Sequence, residues 1–119
     1  MVLPLVLVVE DEFLVRMNAV SLLEEAGFGV VEASSADDAI ALLESRKDIR
    51  IVFTDINMPG SMDGLRLAHA IRNRWPPIEL VLTPGLMRVP NEDMPERGLF
   101  LRKPYEPGEL IRMVRSLAN

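Results

Sequence analysis

Ile51-Val52-Phe53-Thr54-Asp55-Ile56-Asn57-Met58-Pro59-Gly60 is the stretch whose reading decides the fold. The apolar run Ile51-Val52-Phe53-Thr54 has the length and β-branched character of a buried strand. Pro59 and Gly60 force a turn soon after it. Asp55 is therefore predicted at a strand end, on one edge of a sheet, where a carboxylate can act as nucleophile or metal ligand. Runs rich in Val, Ile and Leu recur at residues 5–9, 29–33, 51–54, 79–82 and 99–102, with helical spacing between most of them. That alternation predicts an α/β domain built on a parallel sheet. Three of the other runs end in polar residues: Glu10-Asp11, Thr83 and Lys103. Right-handed crossovers bring the carboxyl ends of parallel strands to one edge, so Glu10, Asp11, Asp55, Thr83 and Lys103 are expected to gather there.

Between the runs, Val15, Ala19, Leu22 and Ala26 repeat at helical spacing before Gly27, a helix stop. Ser35 is placed to cap a second helix with Ala36, Ile40 and Leu43 on one face. A last helix follows Pro107 and carries Leu110, Val114 and Leu117 on one stripe. Pro84, Pro90 and Pro95 leave little room for a regular helix over residues 86–98, so a short or irregular element is expected there. Trp75, before Pro76-Pro77, is read as closing a helix, and His69, the only histidine, as a surface residue. No repeat, low-complexity tract or linker is evident, and residues 1–119 read as one domain.

With 119 residues, 49% hydrophobic and 5% aromatic, the chain suits one aliphatic core. Eighteen acids against thirteen bases leave a net charge of -5, which disfavours a nucleic-acid partner. The absence of cysteine excludes disulfides and thiol catalysis. The apolar start has no basic flank, is interrupted by Pro4 and runs into Glu10-Asp11-Glu12, unlike a secretory leader. No apolar stretch approaches the roughly 20 residues of a membrane-spanning helix, so a cytoplasmic location without a membrane partner is expected.

Three carboxylates at one strand edge repel one another and take up protons unless a cation sits among them. An all-oxygen ligand set, with neither Cys nor a nearby His, suits Mg²⁺ with several of its waters retained. Lys103 adds a compact positive charge and Thr83 a hydroxyl donor. Carboxylate, metal, lysine and hydroxyl together describe a phosphoryl-transfer site, and a carboxylate nucleophile there forms an acyl phosphate.

In this order, and over essentially the whole chain, the residues resemble the receiver domains of two-component response regulators. The resemblance implies a single doubly wound (βα)5 domain of flavodoxin-like fold, with a five-stranded parallel sheet of order 2-1-3-4-5. It implies that Glu10-Asp11 is the acidic pair, Asp55 the phospho-acceptor, Thr83 the switch hydroxyl and Phe100 the aromatic rotamer switch. Lys103-Pro104 corresponds to the family's lysine followed by a proline, usually in a cis peptide. By the same likeness Asp11 and Asp55 ligate Mg²⁺ directly, Glu10 acts through water, and the backbone carbonyl of Asn57 completes the protein ligands. Met58-Pro59 and Asp63-Gly64 match the loop after the acceptor, here one residue longer than its commonest form.

The implied partners are a histidine kinase or phosphotransfer protein as donor and a downstream protein that reads residues 87–117, on a monomer or weak dimer. The implied chemistry is intrinsic autophosphorylation and autodephosphorylation, not that of a dedicated enzyme. Pro84 departs from the family pattern, because the residue after the switch hydroxyl usually donates a backbone N–H and proline has none. A Mg²⁺-dependent phosphohydrolase of haloacid dehalogenase type is the alternative, but it normally has a second acid where Asn57 stands. A pseudo-receiver working without phosphorylation is the other alternative, and the intact Asp55, Asp11 and Lys103 argue against it.

Overall fold

The computed structural model describes residues 3–56, 63–83 and 94–118. In chain order its elements are β1 (Leu5–Val9), α1 (Phe13–Glu25), β2 (Gly29–Ala33), α2 (Ala36–Ser45), β3 (Ile49–Asp55), α3 (Gly64–Arg74), β4 (Glu79–Thr83), β5 (Gly98–Phe100) and α4 (Pro107–Ala118). All strand pairings are parallel, in the order β2-β1-β3-β4-β5. This is the expected doubly wound, flavodoxin-like sheet, with β2 and β5 at its edges.

The central strands are buried along nearly their whole length because helices cover both faces of the sheet. Alternation along each strand divides their side chains between two cores. Leu7, Val9, Val52, Leu80 and Leu82 meet Ala39 and Leu43 of α2 and Leu67 and Ile71 of α3. Val6, Val8, Ile51, Phe53 and Val81 meet Ala19 and Leu23 of α1 and Leu110 and Val114 of α4. In α1 the buried residues are Ala19, Val20 and Leu23, one position on from the expected Val15-Ala19-Leu22-Ala26 stripe apart from Ala19 itself. In α2, Ala39 is buried where Ile40 was expected, and Ile40 packs at the margin. The α1 shift is the direction expected of helical side chains that lean toward the preceding turn, where the residue covering a given spot lies about one position C-terminal to it; the α2 shift runs the other way.

The helix ends follow local chemistry. Gly27 stops α1 at φ 99, a region that favours glycine, with its N–H donating to Glu24 O at 3.0 Å. Ser35 Oγ accepts from Asp38 N at 3.1 Å at the start of α2. Asp63 Oδ1 accepts from Arg66 N at 2.9 Å at the start of α3. Trp75 closes α3 by donating its N–H to Ile71 O at 2.7 Å, with the Arg74 guanidinium 4.3 Å from the indole centroid. His69 is exposed on α3.

Two strand boundaries differ from expectation. β3 begins at Ile49, and the register against β1 shifts between Leu5 and Val6, which accommodates the exposed Arg50. β5 ends at Phe100, yet Leu101 still donates its N–H to Leu82 O at 2.8 Å. Most of the expected short or irregular element over residues 86–98 lies outside the described residues. No helix among the described residues is long and apolar enough to cross a membrane.

Candidate functional site

β1 and β3 deliver the acids. Past Val9 the Glu10 N–H still donates to Ala33 O of β2 at 3.1 Å, so Glu10 leaves the sheet in a fixed direction. Asp55 is the last residue of β3 and stands in register with Thr83, the last of β4. Ile56 N then donates to Thr83 O at 3.2 Å, and Gly64 N to Ile56 O at 2.9 Å. A Cβ on Gly64 would lie 1.7 Å from the Asp55 carbonyl oxygen, so only glycine lets α3 start this close to the strand end. Lys103 precedes a cis peptide to Pro104, as the family likeness implied.

The five side chains predicted at the carboxyl edge are brought together. Lys103 Nζ lies 3.0 Å from Glu10 Oε1 and 3.1 Å from Asp55 Oδ2. Carboxylate oxygens of Glu10, Asp11 and Asp55 all lie within 4.8 Å of one another. Glu10 and Asp55 are only 5% and 6% exposed, and Thr83 3%, while Asp11 is half-buried.

That enclosure shifts the protonation equilibria. Burial pushes the Glu10 carboxyl up to about 7; its hydrogen bond from Lys103 opposes the rise and the Asp55 charge adds to it. Burial by itself would lower the Lys103 ammonium, but the hydrogen bond to Glu10 and the two negative charges outweigh it and hold the group above its ordinary value. Burial also raises the Tyr105 phenol, whose ring meets Phe53 edge-on with centroids 5.9 Å apart.

At this edge two buried atoms, Glu10 Oε2 and Thr83 Oγ1, have no hydrogen-bond partner among the described residues. An unsatisfied buried polar group costs about 1–3 kcal/mol, so such atoms are ordinarily met by a ligand, ion or water. Three carboxylates within 4.8 Å, one with an unpaired oxygen, fit a hard divalent cation that keeps some of its waters. The Thr83 hydroxyl fits an incoming anionic oxygen. Together with the Lys103 charge, the arrangement can hold a metal and stabilise a phosphoryl group beside Asp55.

Phe100 is opposite Leu82 in β5, half-buried against the core on the α2 and α3 side. Asn57 and Pro84 lie outside the described residues. Sequence reasoning missed Arg16, which donates from Nη1 to Glu10 O at 2.8 Å and from Nε to Glu32 Oε1 at 2.9 Å. Its one signal was a lone base one helical turn after three consecutive acids.

A family model described as response regulator receiver domain matches residues 6–115. The sensor kinase CckA of Brucella abortus is 34% identical over 120 residues, which cover 94% of this chain and 12% of CckA. The aerobic respiration control protein ArcA of Escherichia coli K12 is 34% identical over 118 residues, covering 98% of this chain and 49% of ArcA. The chain thus spans half or less of the length of these two relatives. Among solved structures, a response regulator receiver protein from Pseudomonas putida superposes with a TM-score of 0.87 at 30% identity, covering 98% of each chain.

Proposed function

Since the chain belongs to the family of response regulator receiver domains, we propose that Asp55 accepts a phosphoryl group from a histidine kinase or phosphotransfer protein in a Mg²⁺-dependent reaction. One observation carries this reading: a buried Asp55 with Lys103 Nζ at 3.1 Å and the oxygens of Glu10 and Asp11 within 4.8 Å. An Asp55 carboxylate oxygen attacks phosphorus as the phosphorus–nitrogen bond of the donor phosphohistidine breaks, its electron pair returning to the imidazole. Lys103 then faces the non-bridging oxygens, and the Thr83 hydroxyl donates to one of them. Asp11, Asp55, Glu10 through water and the Asn57 carbonyl would hold Mg²⁺, which when bound offsets the negative charge of acids and phosphoryl group.

The new charge draws Thr83 toward the phosphoryl oxygen, and Phe100 turns into the space it leaves. A downstream protein reads the change over residues 87–117. Pro84, without an N–H, leaves the phosphoryl group one donor short and its state less stabilised. Phe13, Leu14 and Met17, which are 61%, 79% and 37% exposed at the start of α1 just after the acid pair, give the donor protein an apolar surface on that helix. The chain works in the cytoplasm as a monomer or weak dimer, and its own chemistry is limited to gaining and losing this phosphoryl group.

Incubation with Mg²⁺ and a small phosphodonor such as phosphoramidate, followed by intact mass, tests the reading. A phosphate-sized increment is expected on wild type and not on Asp55→Asn. No increment on wild type, with Mg²⁺ bound, would sink it.

A further inference from the structure

We propose that Arg16 is a positioning residue for the metal site: it sets the peptide between Glu10 and Asp11 so that Asp11 points at the cation. The inference rests on the reading that Asp11 is a Mg²⁺ ligand. Asp11 is half-buried, with a carboxylate oxygen within 4.8 Å of those of Glu10 and Asp55, and the direction of so short a side chain is set largely by its backbone. That backbone also lacks the usual anchor. Glu12, the N-cap of α1, makes no side-chain capping hydrogen bond, and the first turn of the helix has no acid.

Arg16, one turn into α1, takes over the anchoring. Its Nη1 donates to the Glu10 carbonyl at 2.8 Å, which belongs to the same peptide plane as the Asp11 nitrogen. The Glu10 N–H is meanwhile tied to Ala33 O at 3.1 Å, so both peptides flanking Glu10 are held. Arg16 is itself fixed: its Nε donates to Glu32 Oε1 of β2 at 2.9 Å, its side chain is 14% exposed, and its guanidinium carbon lies 5.5 Å from the Phe13 ring centroid. A residue this enclosed and this directional does more than neutralise a surface acid. The planar fork lets one side chain bridge β2, α1 and the acidic loop.

Calorimetric Mg²⁺ titration and the Mg²⁺ dependence of phosphorylation by phosphoramidate test this on the whole chain. Arg16→Met should weaken Mg²⁺ binding about tenfold or more, as loss of a residue behind a metal ligand does. Its phosphorylation rate should recover at saturating Mg²⁺, and an Arg16→Met chain that is fully folded without metal, by urea denaturation, excludes a general loss of stability as the cause. Arg16→Lys, with a donor and a charge at the same place, should regain most of the affinity. Glu32→Gln removes the charge but keeps an oxygen that accepts from Arg16 Nε, so the Glu10 contact is left in place and affinity should stay near wild type. Mg²⁺ affinity of Arg16→Met within about twofold of wild type overturns the proposal, as does an equal loss in Glu32→Gln. Arg16→Gln is judged by the same criteria if Arg16→Met fails to fold. If wild type itself binds no Mg²⁺, the metal reading falls and this inference with it; if wild type binds and Arg16→Met matches it, this inference falls alone.

Discussion

Glu10 shows how one residue sets the chemistry of this edge at a cost in stability. Its carboxyl is raised from 4.5 to about 7, chiefly by burial. Between those values the native chain holds a proton that the unfolded chain has released, so stability falls as pH rises. The contribution is fully present below about 4.5 and lost on passing about 7, and amounts to roughly 3 kcal/mol. In metal-free buffer Glu10→Gln should therefore be more stable than wild type by about 1–3 kcal/mol at pH 8, with the gain shrinking toward pH 4.5. Urea denaturation across that range checks this, and a gain independent of pH would show that titration of Glu10 is not its source. At this scale the sequence was legible wherever a residue gathered at the carboxyl edge ended a hydrophobic run, as Glu10, Asp55, Thr83 and Lys103 do. Arg16 was not legible, because its role depends on a carbonyl six positions back that folding brings to 2.8 Å. Asp63-Gly64 could be matched as a motif, but the reason for its glycine, the approach to the Asp55 carbonyl, is visible only in three dimensions.

Among the elements, β5 has the least of its own to hold it. It is three half-buried residues at a sheet edge, paired to β4 from Gly98 to Phe100. Its entry is tied down by side chains from elsewhere. Arg72 of α3 donates from Nε to Glu96 O at 2.7 Å and from Nη1 to Pro76 O at 2.7 Å and Ile78 O at 2.8 Å. Arg97, at φ 61, adds a bond from Nη2 to the same Pro76 carbonyl at 2.6 Å. One guanidinium thus joins α3, the approach to β4 and the approach to β5. Arg72→Met should cost about 2 kcal/mol, the scale of charge-assisted hydrogen bonds that are partly exposed. In hydrogen exchange the amides of residues 99–101 should lose more protection than those of β1; an even loss over the sheet would mean that the clamp is not local. The strands themselves were readable because each central one is an apolar run buried on both faces. The ends of β3 and β5 were not, since a register shift and a pairing that outlasts the strand leave no mark in hydropathy.

Across the whole molecule, the apolar cores and the candidate site sit in different places. Two aliphatic cores on opposite faces of the sheet hold the fold, while the carboxyl edge gathers three acids and two unpaired buried atoms. The alternation of runs and helical stretches made this architecture readable, because right-handed crossovers leave few other ways to connect parallel strands. The clustering has a consequence for the entire folding equilibrium. A cation that binds only the assembled edge must stabilise the whole chain, since the unfolded chain does not hold Glu10, Asp11 and Asp55 together. At 100 times its dissociation constant Mg²⁺ should add about 2.7 kcal/mol. For a domain of this size that corresponds to a rise in Tm of roughly 10 °C. A chelator should reverse the rise, and NaCl at matched ionic strength should give much less, because screening reaches exposed charges more than buried ones. Asp11→Ala should abolish most of the Mg²⁺ effect while remaining folded without metal, since it removes a half-buried like charge from beside two others. An undiminished Mg²⁺ shift in that variant would place the stabilising cation somewhere other than the carboxyl edge.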